Sequence, residues 1–322
     1  VTAAAPAVAV LSGGVGAARF LAGVIDAVDD PRSVTAVVNV GDDCIMHGLT
    51  ICPDLDTITY TLAGAIDPAR GWGLVDESWR AMAALERFER VRPPGSSAGT
   101  RWFGLGDQDL ATHFYRTARL AEGASLTAVT DEIRRAWDVP ISIVPASDDR
   151  WSTVVDTPSH GELPFQDYFV RLRHDVAVQG IRFDGEARLA DAAQRALVDA
   201  DLIVVAPSNP LVSIGPIIAL PGVRELLVER RDRVVAVSPI VGGAALKGPA
   251  DRMMTELGHD ASVAGVASLY APFAASLVVD PVDEAAVAAI EATGMEAVVT
   301  PSVMTTPEIA RRLAEATLAA VR

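Results

Sequence analysis

The sequence predicts an α/β fold: a Rossmann-like, mostly parallel sheet with an inserted, mainly helical subdomain. Three observations carry this. The chain opens as an apolar strand, a glycine turn, a helix and a second strand. Continuous apolar runs such as Leu202-Ile203-Val204-Val205 recur later, as strands covered on both faces require. Between these halves lies a helix-rich stretch near 60–200, with no clear linker at either end. The expectation is one domain over 1–322, with 60–200 as an approximate inserted subdomain.

Val8–Leu11 reads as a buried strand. Ala17–Val28 follows as a helix, with Phe20, Leu21, Val24 and Val28 at helical spacing. Ser33–Val40 is the next strand. A helix is expected over Asp56–Gly64, with Asp56 or Thr57 at its N-cap. Glu77–Arg90 reads as helix, and Arg92–Gly99 as a loop, from its Pro, Ser and Gly content. Ala111–Glu122 and Ser125–Trp137 are helical. The latter carries Leu126, Val129, Ile133 and Trp137 on one face and Ser125 as N-cap. Strands are expected at Ile141–Val144, Ser152–Val155 and Val176–Phe183. A helix at Ala190–Val198 leads into Leu202–Val205. Val223–Glu229 is helix and Val234–Val237 strand. Leu277–Val279, Glu284–Ala292 and Ala297–Val299 then read as strand, helix, strand. The Thr306-Pro307-Glu308 start opens a terminal helix, with an N-cap, a first-turn Pro and an early acid.

Half of the 322 residues are hydrophobic and only 5% aromatic, so Val, Ile, Leu and Ala must fill the core. A net charge of −15 argues against a nucleic-acid or anionic-membrane surface, though a local site can still bind small anions. No apolar run reaches the length of a bilayer span. Residues 1–6 lack a charged region before their apolar run and read as the lead into a strand, not a signal peptide. Cys44 and Cys52, the two cysteines, fit neither a zinc nor a CxxC pattern. They read as reduced packing residues of a cytoplasmic protein.

Two segments point to phosphate chemistry. In Ser12-Gly13-Gly14-Val15-Gly16, backbone N–H groups can approach phosphate oxygens at a helix N-terminus. The loop lacks the GK[ST] ending of a P-loop and the last glycine of GxGxxG, and a tight structural turn is its other reading. Asp42 and Asp43 close one strand, and Asp54 and Asp56 sit in a Pro-led turn. Such clustered oxygens suit Mg²⁺ that also holds phosphate. Alternatively, the first pair ends a strand in solvent and the second caps a helix.

Asp107, Asp109 and His113 gather near a helix start, where favourable first-turn acids are the simpler reading. Pro207-Ser208-Asn209-Pro210 follows an apolar strand, at the end where open α/β sheets bind ligands. Ser208, Asn209 and Ser213 can hydrogen-bond a nucleotide, or form an Asx-type turn. Ser238-Pro239-Ile240-Val241-Gly242-Gly243 repeats the pattern. Ser147-Asp148-Asp149-Arg150 is either a further site or a solvated loop.

Taken together these segments resemble the 2-phospho-L-lactate transferase family of deazaflavin coenzyme (factor 420) biosynthesis, including its phosphoenolpyruvate transferases. The resemblance spans nearly the whole chain. It also rests on Val38-Asn39-Val40-Gly41-Asp42-Asp43, Pro53-Asp54-Leu55-Asp56-Thr57, Gly71-Trp72-Gly73, Leu105-Gly106-Asp107, Asp109-Leu110-Ala111-Thr112-His113, Phe165-Gln166-Asp167 and Ser238-Pro239-Ile240. It implies a Mg²⁺-dependent transferase. A guanosine diphospho-ester donates a phospholactyl or phosphoenolpyruvyl group to the ribityl hydroxyl of 7,8-didemethyl-8-hydroxy-5-deazariboflavin, releasing GMP.

On this reading Asp42 and Asp54 hold the metal, and Asp56 and Asp43 are catalytic. Gly13, Gly14, Val15, Gly16, Ser208, Asn209 and Ser213 hold the donor. Asp107, Gln108 and His113 meet the acceptor, with Trp102, Phe103 and Phe114 as apolar surface. The family commonly carries a basic residue at Gln108. The resemblance also implies a homodimer. A nucleotide-sugar-binding regulator of the gluconeogenesis-factor type is the alternative, sharing the glycine loop and the Ser-Asn-Pro turn. A nicotinamide dehydrogenase fits poorly: Asp42 could be its ribose-binding acid, but the glycine pattern does not match.

Overall fold

The computed structural model describes residues 5–321. Residues 1–4 of the segment read as a lead-in strand lie outside them. Seven parallel strands form the central sheet, in the order β14-β13-β10-β9-β1-β2-β5. They are β1 (Val8–Ser12), β2 (Val34–Val38), β5 (Ser142–Pro145), β9 (Leu202–Val205), β10 (Val234–Val237), β13 (Ser276–Val279) and β14 (Glu296–Val299). The Rossmann-like expectation is met. Two hairpins, β3 (Cys44–Met46) with β4 (Leu49–Ile51) and β11 (Ile240–Val241) with β12 (Ala244–Ala245), lie outside it.

Strand alternation divides the core into two layers. Val8 and Val10 of β1 pack with Phe20, Leu21 and Val24 of α1 (Gly14–Ala27) and with Leu313 of the terminal helix Pro307–Leu318. Ala9 and Leu11 face the other way, toward Leu197, Leu227 and Val266. Burying a side chain such as Phe20 or Leu21 contributes roughly 1.5–3 kcal/mol.

α2 is Pro53–Leu62 and starts earlier than expected. Its N-cap is Cys52, not Asp56 or Thr57. Pro53 takes the first helical position, where a missing N–H costs nothing, so Asp54 and Asp56 fall in the first turn. The segment 60–200 is not one helical insertion. The helices α3 (Arg80–Glu89), α4 (Asp109–Ala121) and α5 (Leu126–Ala136) form a first excursion. The chain then returns to the sheet as β5, pairing with β2. A second excursion is an antiparallel sheet of β6 (Ser152–Thr157), β7 (Gly161–Pro164) and β8 (Gly180–Asp184). Ser125 caps α5 as expected, accepting from Ala128 N–H.

β1 lies between β2 and β9, so the chain leaves it in one direction and later returns on the other side. A crevice at the C-terminal strand ends is the usual consequence. No single helix among the described residues is long and apolar enough to cross a membrane.

Candidate active site

The loops after β1, β2, β9 and β10 open into one cavity of ≈ 1080 Å³. The glycine loop and the Ser-Asn-Pro turn meet there. Ser208 Oγ donates to the Gly13 carbonyl at 2.8 Å, and Gly13 N–H donates to Ser208 Oγ at 3.3 Å. Space is tight: a Cβ on Gly13 would lie 2.7 Å from both Asp54 Oδ2 and Ser213 Cβ, and one on Gly16 2.1 Å from the Pro207 carbonyl oxygen. Asn209 caps the turn that follows, accepting from Leu211 N–H at 2.9 Å and Val212 N–H at 3.3 Å, and still lines the cavity.

Asn39 ties the acids to this loop. Its Nδ2 donates to Asp54 at 2.9 Å and to Asp42 at 3.3 Å, while its Oδ1 accepts from Gly41 N–H. Gln166 adds a bond to the Asp42 carbonyl at 2.9 Å. Asp42 and Asp54 are both buried, with no cation bonded to either carboxylate among the described residues. Burial, then the charges of Asp54 and Asp43, hold the Asp42 carboxyl well above the usual carboxylate range. Burial pushes Asp54 up to about 6, against the hydrogen bonds of Asn39 and of the Gly14 backbone. Crowded carboxylates without a counter-charge fit a hard divalent cation. Asp42 and Asp54 are the pair on the cavity wall able to hold one.

Asp43 stands behind them, off the cavity wall. It lies near the Cys52 thiol, burial raises its pKa well above the ordinary range, and Oδ1 has no partner. Asp43, expected to be catalytic, is not among the residues lining the cavity. Burial pushes the Cys52 thiol up as well, and both cysteines are free.

Asp56 reaches the cavity, but both its oxygens bond the guanidinium of the fully buried Arg116. That pairing suits orientation better than proton removal. Arg116 Nη1 also lies 3.3 Å from His113 Nδ1. His113 Nε2 sits 3.2 Å from Asp109 Oδ2, without a well-directed hydrogen bond. Tyr60 donates to Asp109 at 2.7 Å. Burial opposes the Asp109 charge, but His113, Tyr60 and Arg116 together hold its pKa below the ordinary value. Asp56, Asp109 and His113 offer ligand atoms within 4.8 Å of one another. Arg116 already supplies their positive charge.

Two expected acceptor contacts are elsewhere. Asp107 accepts from Ser78 Oγ and from the N–H groups of Arg80 and Ala81, at the start of α3. It caps a helix outside the cavity. Gln108 is exposed, near the carbonyls of Val75 and Asp76. Phe114 is 57% exposed on the outer side of α4, whereas Trp102 and Phe103 do line the cavity. The turn at 147–150 is structural: Asp148 accepts from Thr127 N–H at the start of α5, and Asp149 from Arg188 N–H.

Sequence reasoning assigned no role to Asn39, Gln166 or Arg116. A signal existed for Arg116, since Asp109, His113 and Arg116 recur on one helical face. Further aromatic wall comes from Phe165 and Phe169, stacked at 5.3 Å, and from Trp72 under Arg70.

Comparisons with known proteins place the chain in a family. The family profile described as "2-phospho-L-lactate transferase CofD" matches residues 8–315. A phosphoenolpyruvate transferase of Kitasatospora aureofaciens is 40% identical over 315 residues, covering 96% of each chain. One from Mycobacterium bovis (strain BCG / Pasteur 1173P2) is 42% identical over 292 residues, covering 85% of this chain and 86% of its own. A solved UPF0052 family protein from Bacillus halodurans shares the fold, with a TM-score of 0.62 at 14% identity, covering 97% of this chain and 98% of that one. The curated relatives are transferases, and so is this chain. It belongs to the CofD family of 2-phospho-L-lactate transferases.

Proposed function

We propose that the chain transfers a phospho-carboxylate group from a guanosine diphospho-ester to the ribityl hydroxyl of 7,8-didemethyl-8-hydroxy-5-deazariboflavin, in factor 420 biosynthesis. The acid is enolpyruvate in preference to lactate, because the similar relatives at 40% and 42% identity are named phosphoenolpyruvate transferases. The hydroxyl oxygen attacks the phosphorus that carries the acid. The anhydride bond breaks, GMP leaves with the bridging oxygen, and the hydroxyl proton passes to solvent or a nearby base.

One observation carries this reading: the glycine loop, the Asp42–Asp54 pair and an aromatic wall share one cavity. N–H groups at the start of α1 would take the donor's diphosphate. Asp42 and Asp54 would hold Mg²⁺, which neutralises charge on the diphosphate when bound. Trp72, Trp102, Phe103 and Phe165 would pack the flat ring. Asp56, fixed by Arg116, and the Asp109–His113 pair would orient the ribityl hydroxyl near the phosphorus. No feature of the cavity favours a purely regulatory nucleotide-sugar binder. A homodimer, read by sedimentation, belongs to the same proposal.

The test is a donor panel. Purified protein, deazaflavin, Mg²⁺ and guanosine diphospho-esters of enolpyruvate, lactate and glycerate are incubated, and products are weighed by mass spectrometry. The expected dominant product carries the enolpyruvyl phosphate. An acceptor left unmodified by every donor would refute the reaction.

A further inference from the structure

Lys247 lies against Gly71, which in turn adjoins Val15 of the glycine loop. A Cβ on Gly71 would lie 2.7 Å from Lys247 Nζ and 3.6 Å from Val15 Cγ1. Three chain segments therefore converge: the turn after β1, the Gly71-Trp72-Gly73 loop, and the stretch after β12. Gly71 has φ +75°, in the left-handed region that favours glycine, and any side chain there would displace the ammonium.

Lys247 has no counter-ion among the described residues. Burial and then the like charge of Arg19 lower its pKa, and no carboxylate acts on it. Arg19 lies on α1, beyond Val15, and both cations line the cavity. Arg70 and Arg101, on the same wall, are already paired, with Asp67 and with Glu89. Lys247, Arg19 and Arg173 line the cavity without an ion pair among the described residues, and of these Lys247 and Arg19 adjoin the glycine loop; unpaired cations so placed in a chain of net charge −15 call for an anion. On the transferase reading the donor's phosphates would meet the loop N–H groups and the cation that Asp42 and Asp54 would hold. Its carboxylate has no partner among those groups.

We infer that Lys247, with Arg19 beside it, forms the subsite for the carboxylate of the acid that is transferred. The inference rests on the transferase reading above and deepens it. The subsite makes the enzyme select acid-bearing diphospho-esters over plain guanosine nucleotides.

Calorimetry with Mg²⁺ and without acceptor separates the possibilities. GDP supplies phosphates without the acid; the enolpyruvyl diphospho-ester supplies both. Loss of one charge-assisted hydrogen bond corresponds to about 10–100-fold in affinity. For Lys247→Met, donor affinity is expected to fall by that factor while GDP affinity stays within about twofold. Arg19→Met should act in the same direction, and Lys247→Arg should keep most of the preference. Lys247 is exposed, so these variants leave the fold intact. Equal losses for GDP and donor would assign Lys247 to a phosphate and overturn the inference. So would unchanged donor affinity, or a wild type that binds donor no better than GDP. A wild type with a lysine-dependent donor preference but no product would refute the transferase reading while leaving the subsite standing.

Discussion

Ser208 and Gly13 exchange two hydrogen bonds across 195 residues of sequence, joining the turn after β9 to the glycine loop after β1. Ser208 is buried, so Ser208→Ala strands the Gly13 carbonyl without water. An unmet buried acceptor costs about 1–3 kcal/mol. We expect a lower urea midpoint of that size and weaker GDP binding by calorimetry. If both stay at wild-type values, the two turns do not depend on this contact.

The Arg116–Asp56 pair predicts a different pattern. Removing one partner of a buried ion pair costs about 3–5 kcal/mol, because the other charge is left alone. Arg116→Met should therefore be severely destabilised in denaturant unfolding. Arg116→Met with Asp56→Leu should recover much of that loss yet remain inactive. A double variant no more stable than Arg116→Met would mean that the pair is not a closed unit.

Metal removal couples the acid pair to pH. The folded pKa of Asp54 is raised to about 6, and that of Asp42 is raised too. The folded protein then holds protons that the unfolded chain has released, so stability falls as pH rises from about 4 through about 6. In EDTA, thermal midpoints should decline across that window. Mg²⁺ should flatten the decline by binding the ionised form, and Asp54→Asn should flatten it without metal. A midpoint that rises between pH 4 and pH 6 in EDTA would contradict the burial of these acids.

Gln108 and Asp107 lie off the cavity, so their variants should not behave as site variants. Gln108→Arg and Gln108→Glu are both expected to keep kcat and KM within about twofold, as exposed substitutions usually do. Asp107→Ala should lower thermal stability by uncapping α3 while leaving the KM for deazaflavin unchanged. A large KM change for Gln108→Glu alone would bring Gln108 back to the acceptor.

The parallel sheet was legible because Val34–Val38, Leu202–Val205 and Val234–Val237 are apolar on both faces, a pattern few other structures require. The meeting of Gly13 with Ser208 followed from the same logic, since both turns leave the C-terminal ends of parallel strands. Asp43 and Asp107 were misread for one reason: an acid beside a motif shows its position in the chain but not the direction of its side chain. Asp107 turns to a helix start and Asp43 to Cys52. Arg116 was hidden by distance, because its partner Asp56 is 60 residues away. The split of 60–200 was missed because the strand expected at Ile141–Val144 carries no signal of which sheet it joins, and it pairs with β2.

On this reading one cavity takes both substrates, with the acid pair between them. A crystal structure with GDP, Mg²⁺ and the deazaflavin tests it most directly. The expected result is the diphosphate against Gly13–Gly16 and Ser208, Mg²⁺ on Asp42 and Asp54, and the ring against Trp72, Trp102 and Phe165, with its ribityl chain toward Asp56. A nucleotide or deazaflavin bound outside this cavity, or Mg²⁺ held by other residues, would contradict it.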